Sequence, residues 1–313
     1  MRIRTLGAHG PELSVIGFGA WEAGGGREWG ASPPDDEVVE AIRTVFETGI
    51  NWIDTAEGYG AGHSEELVAR AVEGRRDEVL IATKVAPEPD GTGHRPKQVR
   101  EACRKSLRRL RVDHLDLYQL HWPDRTGVPV EDTWGAMAGL VDEGLVRFVG
   151  VSNFDRELIE RCLAVRHVDS LQQEFSMLRL RDRDLIRWCG EAGVGVVTYG
   201  PLAYGLLTGA ITADTTFEPE DHRVQERTAL FGPGNRERHL AAVGAMRPIA
   251  EGLGLSLAQL ALAWNVHQAG VASAIAGSRS RDHIVANADA GDVELDDETL
   301  ARLDDILSEE PAR

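Results

Sequence analysis

The chain has 313 residues, 42% of them hydrophobic, a formal net charge of −17 and three cysteines, Cys103, Cys162 and Cys189, without CxxC spacing. So acidic a surface argues against nucleic acid or an anionic membrane as partner, and an odd, unspaced set of thiols indicates neither a disulfide framework nor a thiolate metal site. MRIRTLGAHG lacks an apolar core of signal-peptide length and no apolar run approaches a membrane span, so a soluble protein of the reducing cytoplasm is expected.

RIRTL and LSVIG flank GAHGPE and predict a small hairpin. Short runs rich in Val, Ile and Leu then predict strands near 17–19, 50–54, 79–84, 115–121, 147–151, 169–173, 194–199 and 273–276. Helical patterns such as DDEVVEAIRTVFETG and PKQVREACRKSLRRL fill most intervals, the alternation that a parallel sheet requires. SPPDDE is a helix start in which Ser32 or Asp35 can cap and acidic residues occupy the first turn. EAGGGREWG, after Trp21, reads as a glycine-rich loop. Residues 204–235 carry Gly205, Gly209, Pro219, Gly232, Pro233 and Gly234 and are too long for an idle connection, so they read as a lid or binding loop. Residues 296–308 predict a final amphipathic helix, and with no linker interrupting the rhythm one domain is expected over 1–313.

Asp54, Tyr59, Lys84 and His121 each sit at or just past the end of an apolar run: INWID then TAEGY, EVLIATK and LDLYQLH. Polar residues in that position line the mouth of a parallel barrel. A buried charge at a strand end needs a partner, since an unpaired ion in an apolar setting costs several kcal/mol. Asp54 and Lys84 can satisfy one another, and Tyr59 beside that cation is expected to be more acidic than a free phenol of pKa roughly 10. Taken singly, His121 and Tyr59 could be packing residues; their common register at strand ends favours chemistry. Trp21 and Trp122, beside loops, are candidates for lining a substrate pocket, whereas Trp52 inside a strand reads as core. Glu65 and Glu66 read as a solvated helix start, and RRDE and EEPAR as surface charge.

GFGAWE has the first two glycines of a dinucleotide fingerprint but Glu22 in place of the third, and neither GxxxxGK[ST] nor HExxH occurs. With the ten histidines scattered, no metal site is expected.

In IGFGAW, NWIDTAEGYGAGHSEEL, LIATK, SLRRLRVDHLDLYQLHWP, GLVRFVGVSNF, LQQEFS, YGPLAYGLLTG and IAGSRSRDHIVANADA, in that order, the chain resembles the aldo-keto reductase superfamily. The resemblance implies an α/β fold, a (β/α)8 TIM barrel plugged by the N-terminal hairpin and carrying an extra C-terminal helix. It implies NADPH as hydride donor, with NADH also possible, and Asp54, Tyr59, Lys84 and His121 as catalytic residues. Ser152, Asn153 and Gln172 match the side chains that bind the nicotinamide carboxamide, and Tyr199 matches the aromatic that stacks on the ring. Leu202 to Leu207 match the loop near the pyrophosphate, Gly277, Ser278 and Arg279 the phosphate contacts, and Asn287 the adenine contact. In this light Glu65 is also a candidate for holding the cofactor loops. Two departures loosen the adenine grip: His283 stands where many members have Arg or Gln, and Ala286 where they have Glu.

The implied reaction is reversible reduction of an aldehyde, ketone or sugar carbonyl, with Tyr59 delivering the proton and His121 orienting the carbonyl oxygen. Two alternatives remain: a nicotinamide-binding regulatory barrel with little turnover, like the channel-associated members of that superfamily, or a barrel glycoside hydrolase using Asp54 and Glu57.

Overall fold

The computed structural model describes residues 1–25, 29, 32–87, 94–225, 228–232 and 234–308. A hairpin of β1 (Ile3–Thr5) and β2 (Glu12–Ser14) precedes the strands β3 (Ile16–Gly19), β4 (Trp52–Asp54), β5 (Leu80–Val85), β6 (Leu115–Leu120), β7 (Val146–Ser152), β8 (Ser170–Glu174), β9 (Gly195–Tyr199) and β10 (Val271–Gly277). β3 to β10 close into a barrel in sequence order, β10 pairing β3, with every neighbouring pair parallel. Helices follow the strands and form the outer layer, so the fold is a (β/α)8 TIM barrel.

All eight barrel strands fall where the apolar runs predicted them. The hairpin's second arm is shorter than LSVIG suggested. Val15 N–H bonds back to the Arg2 carbonyl while Ala274 N–H bonds to the Val15 carbonyl, so the chain passes into the barrel wall there and Ile16 already pairs with β10. Neither Ser32 nor Asp35 caps the first long helix (Asp35–Arg43). It starts after Pro34, whose carbonyl accepts from Glu37 and Val38, and Asp35, Asp36 and Glu37 occupy its first turn. The final helix (Asp297–Ser308) is present. Residues 26–28 and 30 of the glycine-rich loop, 226–227 and 233 of the 204–235 stretch, and the EEPAR end lie outside the described residues.

Period-two alternation places the site. Trp52, Ala82, Leu117 and Val197 face the barrel interior and pack with Leu6 and Leu13 of the hairpin segment, an apolar floor. Two residues further along the same strands, on the same face, stand Asp54, Lys84, Gln119 and Tyr199. Residues of the opposite register, such as Ile53, Ile81, Tyr118 and Val196, join the core beneath the helices. Trp52 is core as expected, its indole Nε1 donating to Ser273 Oγ at 3.0 Å. Gly17 makes room for it, since a Cβ there would lie 2.1 Å from the indole ring.

Among the described residues no single helix is long and apolar enough to cross a membrane. The helices Asn235–Gly252 and Leu257–His267 meet the criterion only together, across a 91° bend.

Candidate active site

Lys84 is fully buried at the upper end of β5. Its Nζ donates to Asp54 Oδ2 at 2.6 Å, to the Thr55 carbonyl at 2.9 Å and to the Tyr59 hydroxyl oxygen at 3.2 Å. Three acceptors thus satisfy the ammonium without water. Asp54 is buried as well, and its other oxygen accepts from Gln172 Nε2 at 2.8 Å. Tyr59 follows β4 in a turn, half-buried, and the ring of His121, just past β6, meets its ring edge to face at a centroid distance of 5.7 Å. The four residues that the sequence singled out therefore converge at one end of the barrel.

The electrostatics correct one expectation. Tyr59 is not more acidic than a free phenol: burial, with the Asp54 carboxylate close by, pushes its pKa well above 10. Asp54 offsets the lysine charge at close range, while burial strips the phenolate of hydration. Lys84 is itself pulled down by burial, against the opposing pull of Asp54 and Glu65. Burial, then Lys84 and His94, lower His121 to about 3. At neutral pH the site thus holds a protonated phenol and a neutral imidazole.

The residues matched to a cofactor lie around the same rim. Asn153, left-handed at φ 62°, donates from Nδ2 to the His121 carbonyl at 3.1 Å and to Ser152 Oγ at 3.0 Å, and its Oδ1 accepts from Tyr199 OH at 2.7 Å. Gln172, matched to the carboxamide, is engaged with Asp54, so it ties that side of the barrel to the ion pair. Leu202 is partly buried and Leu207 buried, the latter in a short 3-10 segment (Ala203–Thr208). Gly277 ends β10, Ser278 Oγ lies 3.4 Å from His283 Nδ1, and Arg279 Nη2 donates to the Trp29 carbonyl at 2.9 Å. Asn287 is buried in the helix Arg281–Asp289. Ala286 presents no side-chain amide or carboxylate, and its carbonyl accepts from Gln259.

Residues 15–308 of this chain match the model of the Aldo/keto reductase family. The chain belongs to that family. It is 34% identical over 98% of its length to the aldo-keto reductase YhdN of Bacillus subtilis, with 94% of that protein covered. It is 30% identical to the NADH-specific methylglyoxal reductase of Escherichia coli, over 95% of each chain. Among solved structures, the glycerol dehydrogenase AKR11B4 of Gluconobacter oxydans superposes with a TM-score of 0.87 at 33% identity, over 99% of this chain and 96% of that one. An aldo-keto reductase of Klebsiella pneumoniae in complex with NADPH gives 0.77 at 32% identity, over 100% and 98%.

Some features of this reductase were not read from its sequence. Trp21 stacks on Tyr59 at 5.9 Å and also joins Trp29, Tyr204 and His222 in an aromatic cluster, with centroids of Trp21 and His222 4.6 Å apart. Tyr204 and His222 come from the 204–235 stretch, which thereby reaches the rim. Trp122 is 44% exposed and stacks against His121 at 6.2 Å. Glu65 is not solvated: it is fully buried, paired with Thr83 and Arg109, while Glu66 is exposed as expected. Arg109, half-buried between the buried Ser106 and Leu110 of the helix Pro96–Leu110, carried no local signal that singled it out.

Proposed function

We propose that this reductase converts a small aldehyde, ketone or sugar carbonyl reversibly to the alcohol, with Tyr59 as proton donor and NADPH as preferred hydride source. The observation that carries the reading is the Lys84 ammonium donating at once to Asp54 and to the Tyr59 oxygen. Because that oxygen accepts from lysine, the phenolic proton is available to a carbonyl oxygen. When the proton leaves, Lys84 stands ready to stabilise the phenolate. Asp54 orients the ammonium, and the neutral His121 donates an N–H to the same carbonyl oxygen without adding charge. A bound reduced nicotinamide supplies the hydride. The high phenol pKa suits an acid that must keep its proton until charge develops on the substrate.

The rim residues fit a dinucleotide phosphate. Ser278 and Arg279 directly precede the helix Arg281–Asp289 and His283 stands in its first turn, while burial raises the Glu22 carboxyl against the opposing pull of Arg279, Arg223 and His283. Cations near a helix N-terminus favour a polyanion. Arg279 is the residue suited to the additional phosphate of NADPH. The absence of the family's Arg or Gln at position 283 and of its Glu at 286 leaves NADH as a weaker alternative. Trp21 and Trp122 would line the substrate pocket. The reading further takes residues 1–313 as one domain without a nucleic-acid or membrane partner, in a reducing cytoplasm that suits three buried free cysteines.

Loss of reduced-nicotinamide absorbance with a panel of glyceraldehyde, methylglyoxal and benzaldehyde tests the reading on wild type and Tyr59→Phe. Turnover by the wild type and a loss of roughly two to four orders of magnitude in the variant, with NADPH affinity unchanged, are expected. A variant that kept the wild-type rate would remove Tyr59 from the chemistry. No turnover on any carbonyl despite tight NADPH binding would favour the regulatory alternative.

A further inference from the structure

Behind the Tyr59 and Lys84 pair lies a second set of charged groups that the proposed chemistry leaves unused. Glu65, in the first turn of the helix His63–Ala71, accepts from Thr83 Oγ1 at 2.7 Å and from Arg109 Nε at 2.5 Å. Thr83 directly precedes Lys84 on β5. Arg109 Nη2 lies 3.8 Å from Glu57 Oε2 and donates to Ser106 Oγ at 3.2 Å. The other Glu57 oxygen accepts from Ala86 N–H at 3.1 Å, and Glu57 N–H donates to the Lys84 carbonyl at 3.3 Å. Two carboxylates therefore grip the chain on either side of Lys84, bracket Tyr59 in sequence, and meet at one guanidinium.

The turn they bracket needs holding. Gly60, Ala61 and Gly62 have φ of 59°, 53° and 97°, three left-handed residues in succession, of which alanine is a disfavoured occupant. A Cβ at Gly62 would stand 2.6 Å from Arg109 Cδ, so the arginine stem lies directly against this turn.

We propose that Arg109, clamped between Glu57 and Glu65, is a positioning residue for proton transfer: it fixes the Tyr59 turn against β5 so that the phenol stays within reach of Lys84 Nζ. This rests on the reading of Tyr59 as the proton donor. A planar guanidinium suits the task because it can serve two carboxylates and brace the turn with its stem, which a lysine cannot do. The clamp also acts through charge. Lys84 is faced by Asp54 from β4 and Tyr59 from the turn, with His121 just past the end of β6, while Glu65 of the helix His63–Ala71, Arg109 and Glu57 lie behind it on the outer side of β5. Of these, Asp54 and Glu65 work to keep the ammonium protonated against burial.

The test uses the full chain with NADPH and glyceraldehyde, in wild type, Glu65→Gln, Arg109→Lys and the double variant Arg109→Met with Glu65→Gln. The double variant removes the ion pair without stranding a charge at Glu65, and Glu65→Gln keeps an acceptor for Thr83. Expected for the double variant are a cooperative melt, KM and NADPH Kd within about twofold of wild type, and a kcat lower by roughly ten- to a hundredfold, the scale of a misplaced reacting group. In Glu65→Gln the alkaline limb of kcat should move to lower pH, and Arg109→Lys should recover only part of the rate lost in the double variant. Wild-type kcat in the folded double variant, or an unmoved alkaline limb in Glu65→Gln, overturns the proposal. Should the double variant not melt cooperatively, the Glu65→Gln limb decides. An active Tyr59→Phe sinks the underlying proton-donor reading, whereas an inactive Tyr59→Phe beside a fully active double variant sinks the clamp alone.

Discussion

On the β4 to β6 side of the mouth, the chemical groups find their partners inside the protein: Lys84 on Asp54, Thr55 and Tyr59, and Asp54 in turn on Gln172. On the β10 side, Ser278, Arg279 and His283 stand at a helix start. Ser278 Oγ accepts from Ser280 N–H at 3.1 Å and lies 3.4 Å from His283, and Arg279 reaches across to a backbone carbonyl of the loop after β3. The first side is assembled before a ligand arrives, as the proton transfer proposed for it would require. The second gathers donors and cations suited to a polyanion that brings its own charge.

Breaking the first side should have the largest effect. Lys84→Met leaves Asp54 buried with an amide for company and the departing phenolate without a cation. Turnover at neutral pH should fall by at least three orders of magnitude, roughly, and stability by about 3–5 kcal/mol, the scale for stranding one member of a buried pair. Steady-state rates and a denaturant melt check both, and a stable, active variant would show that the ion pair serves neither end.

The second side should respond more mildly and selectively. Arg279→Ala should weaken NADPH binding roughly ten- to a hundredfold, as loss of charge-assisted hydrogen bonds worth about 1.5–3 kcal/mol implies, and leave NADH nearly untouched. Fluorescence titration with both cofactors separates this from equal losses, which would make Arg279 a general phosphate or structural residue.

The smallest expected effect sharpens the contrast through pH. His121 has a folded pKa of about 3, below that of an unfolded histidine, so between those values the unfolded chain binds more protons and stability is lost as pH falls. The slope from this one group is at most about 1.4 kcal/mol per pH unit below roughly pH 6.5, less to the extent that its partly exposed ring is hydrated. His121→Asn should therefore lose less Tm than wild type between pH 7 and pH 4.5. Equal losses would mean that His121 titrates normally in the folded protein. The same shift predicts no limb near pH 6.5 in wild-type kcat/KM.

Asp54, Lys84 and His121 were legible because each ends an apolar run, and Tyr59 because it follows one within a few residues. That is local information: alternation along a strand fixes which residues share a face. Glu65 and Glu66 look alike in HSEELVARAV, yet one is fully buried and the other exposed, because only Glu65 falls on the packed face of the helix, where an arginine 44 residues away satisfies its charge. The acidity of Tyr59 was misjudged for a related reason. The sequence places a lysine near the phenol but says nothing of how Asp54 and dehydration divide its effect.

By itself the sequence determined the alternation of strands and helices, and with it a parallel sheet with polar residues at its strand ends, because hydrophobic period and strand length are properties of neighbouring residues, whereas the closed eight-stranded barrel was implied by the family resemblance. Only the tertiary structure decided the Gln172 contact with Asp54 across 118 residues, the Arg109 clamp, and the cluster that brings Tyr204 and His222 against Trp21. Contacts and pKa values of this kind depend on distance and burial in three dimensions, which no local pattern encodes.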